Sequence, residues 1–143
     1  MAPIATDTET RFEEGIRLFN QHNFFEAHEV WEQVWRRIGG EERIFYQGLI
    51  QAAAALLHVQ RGNNAGAFSV YRKSRTKLAN FPVIWRGIEL GKFRCDLARY
   101  FGVCGKSGYA DDQHSQLPTA GRIVGAVEPP TISLPSSQVQ EGR

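Results

Sequence analysis

A chain of 143 residues, 42% hydrophobic and 22% charged with a formal net charge of +2, has the size and composition of one ordinary globular domain. That argues against disordered and membrane-embedded classes. The opening MAPIATDTET has neither a basic nor an apolar signal region, so the expected home is cytoplasmic with no membrane partner, and the two cysteines, Cys95 and Cys104, make neither a disulfide framework nor a zinc site.

No proline occurs between Ile4 and Phe81, whereas four of the six lie after Gly102 among Gly, Ser and Gln. This divides the chain into a helical domain, 1–102, and an irregular tail, 103–143, expected to be flexible unless it docks. The first helix is expected to open near Thr8 and to carry Phe12, Ile16 and Phe19 at helical spacing before the Asn20-Gln21-His22-Asn23 run breaks it. Asn23 is placed to cap a second helix, with Glu26 three residues on in capping-box position and the Gly39-Gly40 pair as its end. A third helix is expected over 41–61, closed by Gly62. A fourth follows the Asn63-Asn64 cap and stops before Pro82. A fifth, weaker one spans 88–101 and is interrupted by Gly91. No alternating strand pattern or internal repeat stands out, so the class is all-α, an irregular bundle or array of about five helices. Within the tail, 129–134 (PPTISL) is the piece best suited to dock.

The chemistry concentrates in the second and third helices. At about 100° per residue, Phe24, Ala27, Val30, Trp31, Val34, Trp35 and Ile38 form a broad arc on the second helix, extended by His28, Glu32 and Phe25. Glu26 and Glu29 point nearer to solvent. His28 and Glu32, at i and i+4, can hydrogen-bond or share a ligand. A carboxylate beside Trp and Phe is costly unless paired, protonated or bound to a cation, so Glu32 is the most informative acid in the chain. The plain alternative is that His28 and Glu32 satisfy each other, or cap backbone groups elsewhere, and do nothing further.

Apolar residues surround most of the third helix, as expected for a central one, and Gly48 with its run of alanines permits a close neighbour. Arg43, Gln47, Gln51, His58 and Arg61 form one polar stripe. If it faces the His28/Glu32 stripe, a pocket lined by His28, Glu32, Trp35, Gln47, Gln51 and His58 results. His28-Glu29-Val30-Trp31-Glu32 falls short of the zinc-protease helix because Glu32 stands where its second His belongs. His28, Glu32 and His58 still make a conceivable three-ligand set for a divalent metal. No Ser or Cys nucleophile, phosphate loop or second acid marks a reaction, and catalytic residues are not assigned. The fourth helix carries Arg72, Lys73, Arg75 and Lys77 with few interleaved aromatics, which favours an ordinary solvated face over a nucleic-acid footprint.

The runs Phe24-Phe25-Glu26-Ala27-His28-Glu29-Val30-Trp31-Glu32 with Trp35, then Phe45-Tyr46-Gln47-Gly48-Leu49-Ile50-Gln51-Ala52-Ala53, then His58, Arg61-Gly62-Asn63 and Gly66-Ala67, closely resemble the domain-of-unknown-function 309 family over about residues 10–82. The resemblance implies a small, cytosolic, all-helical prokaryotic protein with no established activity. Trp31 departs from its pattern, which leads one to expect an aliphatic residue there, and is expected to reshape the pocket wall. Two functions remain open: a pocket for a small molecule or metal, or a non-enzymatic module for protein–protein contact or homo-oligomerisation.

Overall fold

The computed structural model describes residues 4–102 and 128–133. Among them are five helices, α1 Ile4–Asn20, α2 Phe24–Trp35, α3 Gly40–Gln60, α4 Asn64–Leu78 and α5 Leu90–Tyr100, with one small hairpin, β1 Ile84–Trp85 and β2 Ile88–Glu89. The all-α class holds. The chain separates into two compact units, Met1–Ala79 and Asn80–Arg143. Among the described residues no helix is long and apolar enough to cross a membrane.

In the first unit α3 packs against α2 and α4, and α1 packs against α2. The buried positions on α3, Phe45, Tyr46, Leu49, Ala52, Ala53, Ala55 and Leu56 among them, cover most of its circumference, so α3 is the central element. Its closest neighbour is α4. A methyl group on Gly48 would stand 2.6 Å from Leu78 Cδ2, and the buried Ser74 hydroxyl donates to the Gly48 carbonyl at 2.7 Å. The small residues at this seam let the two backbones approach.

Several helix ends differ from the sequence expectation. α1 starts at Ile4 rather than near Thr8. It closes in a turn where His22 N–H donates to Phe19 O and Asn23 N–H to Leu18 O, a Schellman arrangement with His22 at φ 68° in the place glycine usually takes. The capping box at Asn23 does not form, since Asn23 stands at the N-cap without a side-chain bond to the helix. Its amide nitrogen lies instead 3.4 Å from Gln21 Oε1. α2 ends at Trp35, short of the glycine pair, and Gly40 at φ 69° opens α3. The other caps agree: Gly62, at φ 78°, closes α3, and Asn63 Oδ1 accepts from Gly66 N–H at 3.0 Å to open α4.

A polar clasp ties the start of α1 to the end of α2. Asp7 Oδ2 meets Arg37 Nη1 at 2.9 Å and Arg11 Nε at 3.3 Å, while Arg11 also donates to Gln33 Oε1. The Arg37 hydrogen bond, and secondarily Arg11, hold the Asp7 carboxyl below its usual range. A carboxyl whose folded value is depressed adds stability above its unfolded value and loses it as pH falls through the folded one. Asp7→Asn should therefore lower the melting temperature near neutral pH, with the gap to wild type closing as melts are taken down to about pH 3. A gap that stays constant with pH would exclude this linkage.

In the second unit the Arg86-Gly87 turn, with φ of 53° and 81°, reverses the chain between β1 and β2, as a type I′ hairpin requires. The pairing is Ile84 with Glu89 and Trp85 with Ile88. The expected fifth helix over 88–101 is thus shorter, because Ile88 and Glu89 are taken by the hairpin. Gly91 does not interrupt α5, since it lies in the first turn, where its N–H donates to Val83 O at 2.9 Å. The tail piece 128–133 is docked: Glu89 N–H donates to Ser133 O at 2.8 Å and Ile132 is 2% exposed. Leu134, Cys104 and the expected flexible stretches, 103–127 and 134–143, lie outside the described residues. Cys95 is an exposed free thiol.

Candidate functional site

The buried arc of α2 is Phe24, Ala27, Trp31 and Val34, narrower than the wheel suggests, since Val30 and Ile38 are only half-buried. Trp31 belongs to the α1–α2 core rather than to a pocket wall. Its indole N–H donates to Phe12 O at 3.2 Å, its ring lies 5.9 Å from that of Phe19, and Gly15 of α1 offers it a flat seat. Trp31 therefore shapes the core and not the expected pocket wall.

Beside this arc lies a second stripe of α2, formed by Phe25, His28, Glu29 and Glu32. One ligand atom from each of His28, Glu29 and Glu32 lies within 4.8 Å of the other two. His28 Nδ1 stands 3.6 Å from Glu29 Oε2, and Glu32 Oε1 stands 3.6 Å from Arg36 Nη2. His28 Nδ1 is buried and has no hydrogen-bond partner, so the expected alternative, in which His28 and Glu32 satisfy each other, does not describe it. The Phe25 ring stacks on the imidazole at a centroid distance of 6.2 Å. Glu29, assigned to the solvent side by its Cα direction, joins because a flexible carboxylate reaches back across the 100° that separates it from His28.

On α3 the Arg43 guanidinium lies over the Trp35 ring, 4.0 Å from its centroid. That contact sets the register of the two packed helices. Counting about 1.5 Å per residue along the antiparallel pair puts Gln47 level with Glu32 and Gln51 level with His28. Trp35 Nε1 and Gln51 Oε1 are, like His28 Nδ1, buried without a hydrogen-bond partner. The Arg43–Gln47–Gln51 side of α3 and the His28–Glu32–Trp35 side of α2 thus meet at the Trp35 end.

His58 does not join the cluster of His28, Glu29 and Glu32. It lies seven residues beyond Gln51, about 10 Å along the helix, and its Nδ1 is 3.1 Å from Asn63 Nδ2. The set His28, Glu32 and His58 is therefore replaced by one drawn from α2 alone. The i, i+4 pair was legible from spacing, whereas the third member depended on side-chain conformation.

The geometry defines a small helical domain with a carboxylate–imidazole cluster on the rim of one helix pair. Residues 12–70 match the family model described as a domain of unknown function, DUF309. The chain is also similar to an uncharacterized protein of Aquifex aeolicus (strain VF5), 38% identical over 86 residues, which is 59% of this chain and 26% of that protein. It thus spans about a quarter of the curated relative's length.

Proposed function

We propose that the α2–α3 rim is a binding site for a small molecule assisted by a divalent transition metal, which His28 Nδ1 and the carboxylates of Glu29 and Glu32 hold. One observation carries the reading: a buried imidazole nitrogen without a hydrogen-bond partner, with two carboxylates beside it. An unpartnered buried acceptor or donor costs about 1–3 kcal/mol, and a cation removes that cost. Donors on one tetrahedral metal stand about 3.4 Å apart, about 1.6 times the metal–ligand distance, so the three donor atoms, within 4.8 Å of one another, reach that spacing by rotation of the flexible carboxylate side chains. The Glu32–Arg36 pair that this rotation would disturb is a surface contact, with Arg36 65% exposed, and contributes about 0–1 kcal/mol. One imidazole with two carboxylates suits zinc, cobalt or manganese and leaves coordination positions for a ligand. Trp35, Gln47 and Gln51 supply the wall and the polar edge.

Cobalt(II) tests this reading through its visible spectrum. Wild type should develop ligand-field bands at one equivalent, while His28→Ala and Glu32→Gln, each removing a direct ligand, should weaken binding by more than the roughly 10- to 100-fold that loss of an outer-shell partner costs. His58→Ala should bind as wild type does. Wild type without bands, or variants that bind equally well, would sink the proposal.

A second reading, an interaction module or homo-oligomer, draws support from Phe25, which is 50% exposed although it borders the cluster. Light scattering of wild type against Phe25→Ser discriminates. A dimer that the substitution dissolves favours this reading, and a strict monomer removes the oligomer.

A further inference from the structure

We infer that Arg43 is the anion-recognising residue of this site, so that the small molecule is an oxyanion, a carboxylate or phosphate, engaged by Arg43 while its other end reaches the metal cluster. The inference rests on the metal-assisted binding site proposed above.

Three features of Arg43 carry it. The guanidinium carbon is held over the Trp35 ring, 4.0 Å from its centroid, and a guanidinium on an aromatic face keeps N–H donors for a further partner. Arg43 makes no hydrogen bond or ion pair among the described residues, in contrast to Arg11, Arg36 and Arg37, which all hold acids or amides. A guanidinium has five donors and no acceptor, and beneath it the Trp35 indole N–H is a further buried donor without a partner. Donors alone, at the end of a stripe whose other end is acidic, suit a ligand that is anionic at one end and metal-binding at the other.

Register supplies the size. From the level of Trp35 to those of Glu32 and His28 is three and seven residues, about 4.5 and 10 Å along the axis. An anionic molecule one to two helical turns long spans Arg43 and the cluster. Gln47 and Gln51, on the same side of α3 as Arg43, lie alongside it and offer amide groups to its middle. The cation–π contact alone explains where the Arg43 guanidinium sits. It does not account for the lack of any acid opposite the guanidinium when Glu32, one turn away on the facing helix, pairs with Arg36 instead.

The test titrates inorganic phosphate, and separately succinate, into the full chain by calorimetry, metal-free and with one equivalent of cobalt(II). Wild type should bind at least one of the two, and which one binds identifies the oxyanion. Arg43→Gln should weaken that binding by about tenfold or more, the loss expected for a charge-assisted contact, while its cobalt spectrum stays that of wild type. Arg43→Lys should fall close to the Gln variant, because the planar fork is lost although the charge remains. Lys73→Gln, which removes an exposed cation on α4, should change nothing. The inference is overturned if neither anion binds, if Arg43→Gln binds as tightly as wild type, or if Lys73→Gln loses as much. Cobalt that never binds, together with anion binding that still depends on Arg43, overturns the metal and leaves the anion subsite standing. Cobalt binding without any anion binding overturns the subsite alone.

Discussion

Replacing Trp31 by Leu should destabilise the protein by about 2–4 kcal/mol, within the range for large-to-small changes in a packed core, and adding a methyl group at Gly15 should recover part of that loss. Trp31 is fully buried, and its indole nitrogen is bonded to Phe12 O. A Cβ on Gly15 would stand 2.5 Å from Cδ1 and Cε2 of the indole and closer still to Nε1. A fused ring locked in a core cannot swing aside as the end of a lysine can. Gly15→Ala in the wild-type background should therefore cost about 1–3 kcal/mol through overpacking, although alanine is the better helix former by about 1 kcal/mol. With Leu at position 31 the clash disappears and the methyl group occupies part of the vacated volume. Urea melts of both single variants and the double variant should give a coupling of about 1 kcal/mol or more in the favourable direction. Strict additivity would mean that the glycine and the indole are not a matched pair.

Gly48→Ala is expected to be destabilising as well, by about 1–3 kcal/mol from overpacking at the α3–α4 seam. The added carbon would lie 2.6 Å from Cδ2 and 2.7 Å from Cγ of Leu78, and Leu78 is itself buried at 1% exposure. Relief requires α4 to move outward, which stretches the 2.7 Å bond from Ser74 Oγ to Gly48 O. Ser74→Ala supplies the control. It removes that bond without crowding and should cost about 1 kcal/mol. Leu78→Ala in the Gly48→Ala background should restore little, since relief of the clash is offset by the loss of a buried leucine. Chemical denaturation of the four proteins checks the order. A Gly48→Ala variant more stable than wild type would show that helix propensity, not the seam, dominates at this position.

Much of this architecture was legible because it depends on short-range chemistry. The helical periods of α1 to α4, the Gly62 closure, the Asn63 cap, the central position of α3 and the small-residue seam at Gly48 follow from residue types at fixed spacings. Helix ends were less legible. Asn23 and Glu26 have the composition of a capping box, yet His22 in a left-handed turn closes α1 and enters α2 another way. The hairpin escaped notice because two-residue strands leave no period to read, and only Arg86-Gly87 between Ile84-Trp85 and Ile88 marks it.

At the candidate site the division is sharper. By itself the sequence determined which residues share a helical face: His28 with Glu32 and Trp35 on α2, and Arg43 with Gln47 and Gln51 on α3, because 100° per residue is a property of the backbone. Only the tertiary structure decided that Trp31 turns to Gly15 while Trp35 turns to Arg43, and that His58 is engaged by Asn63 two helical turns away from Gln51. It also decided that Glu29 curls back to the imidazole. A helical wheel gives Cα directions, whereas register between helices and the conformations of long side chains are set by packing against neighbours distant in the chain.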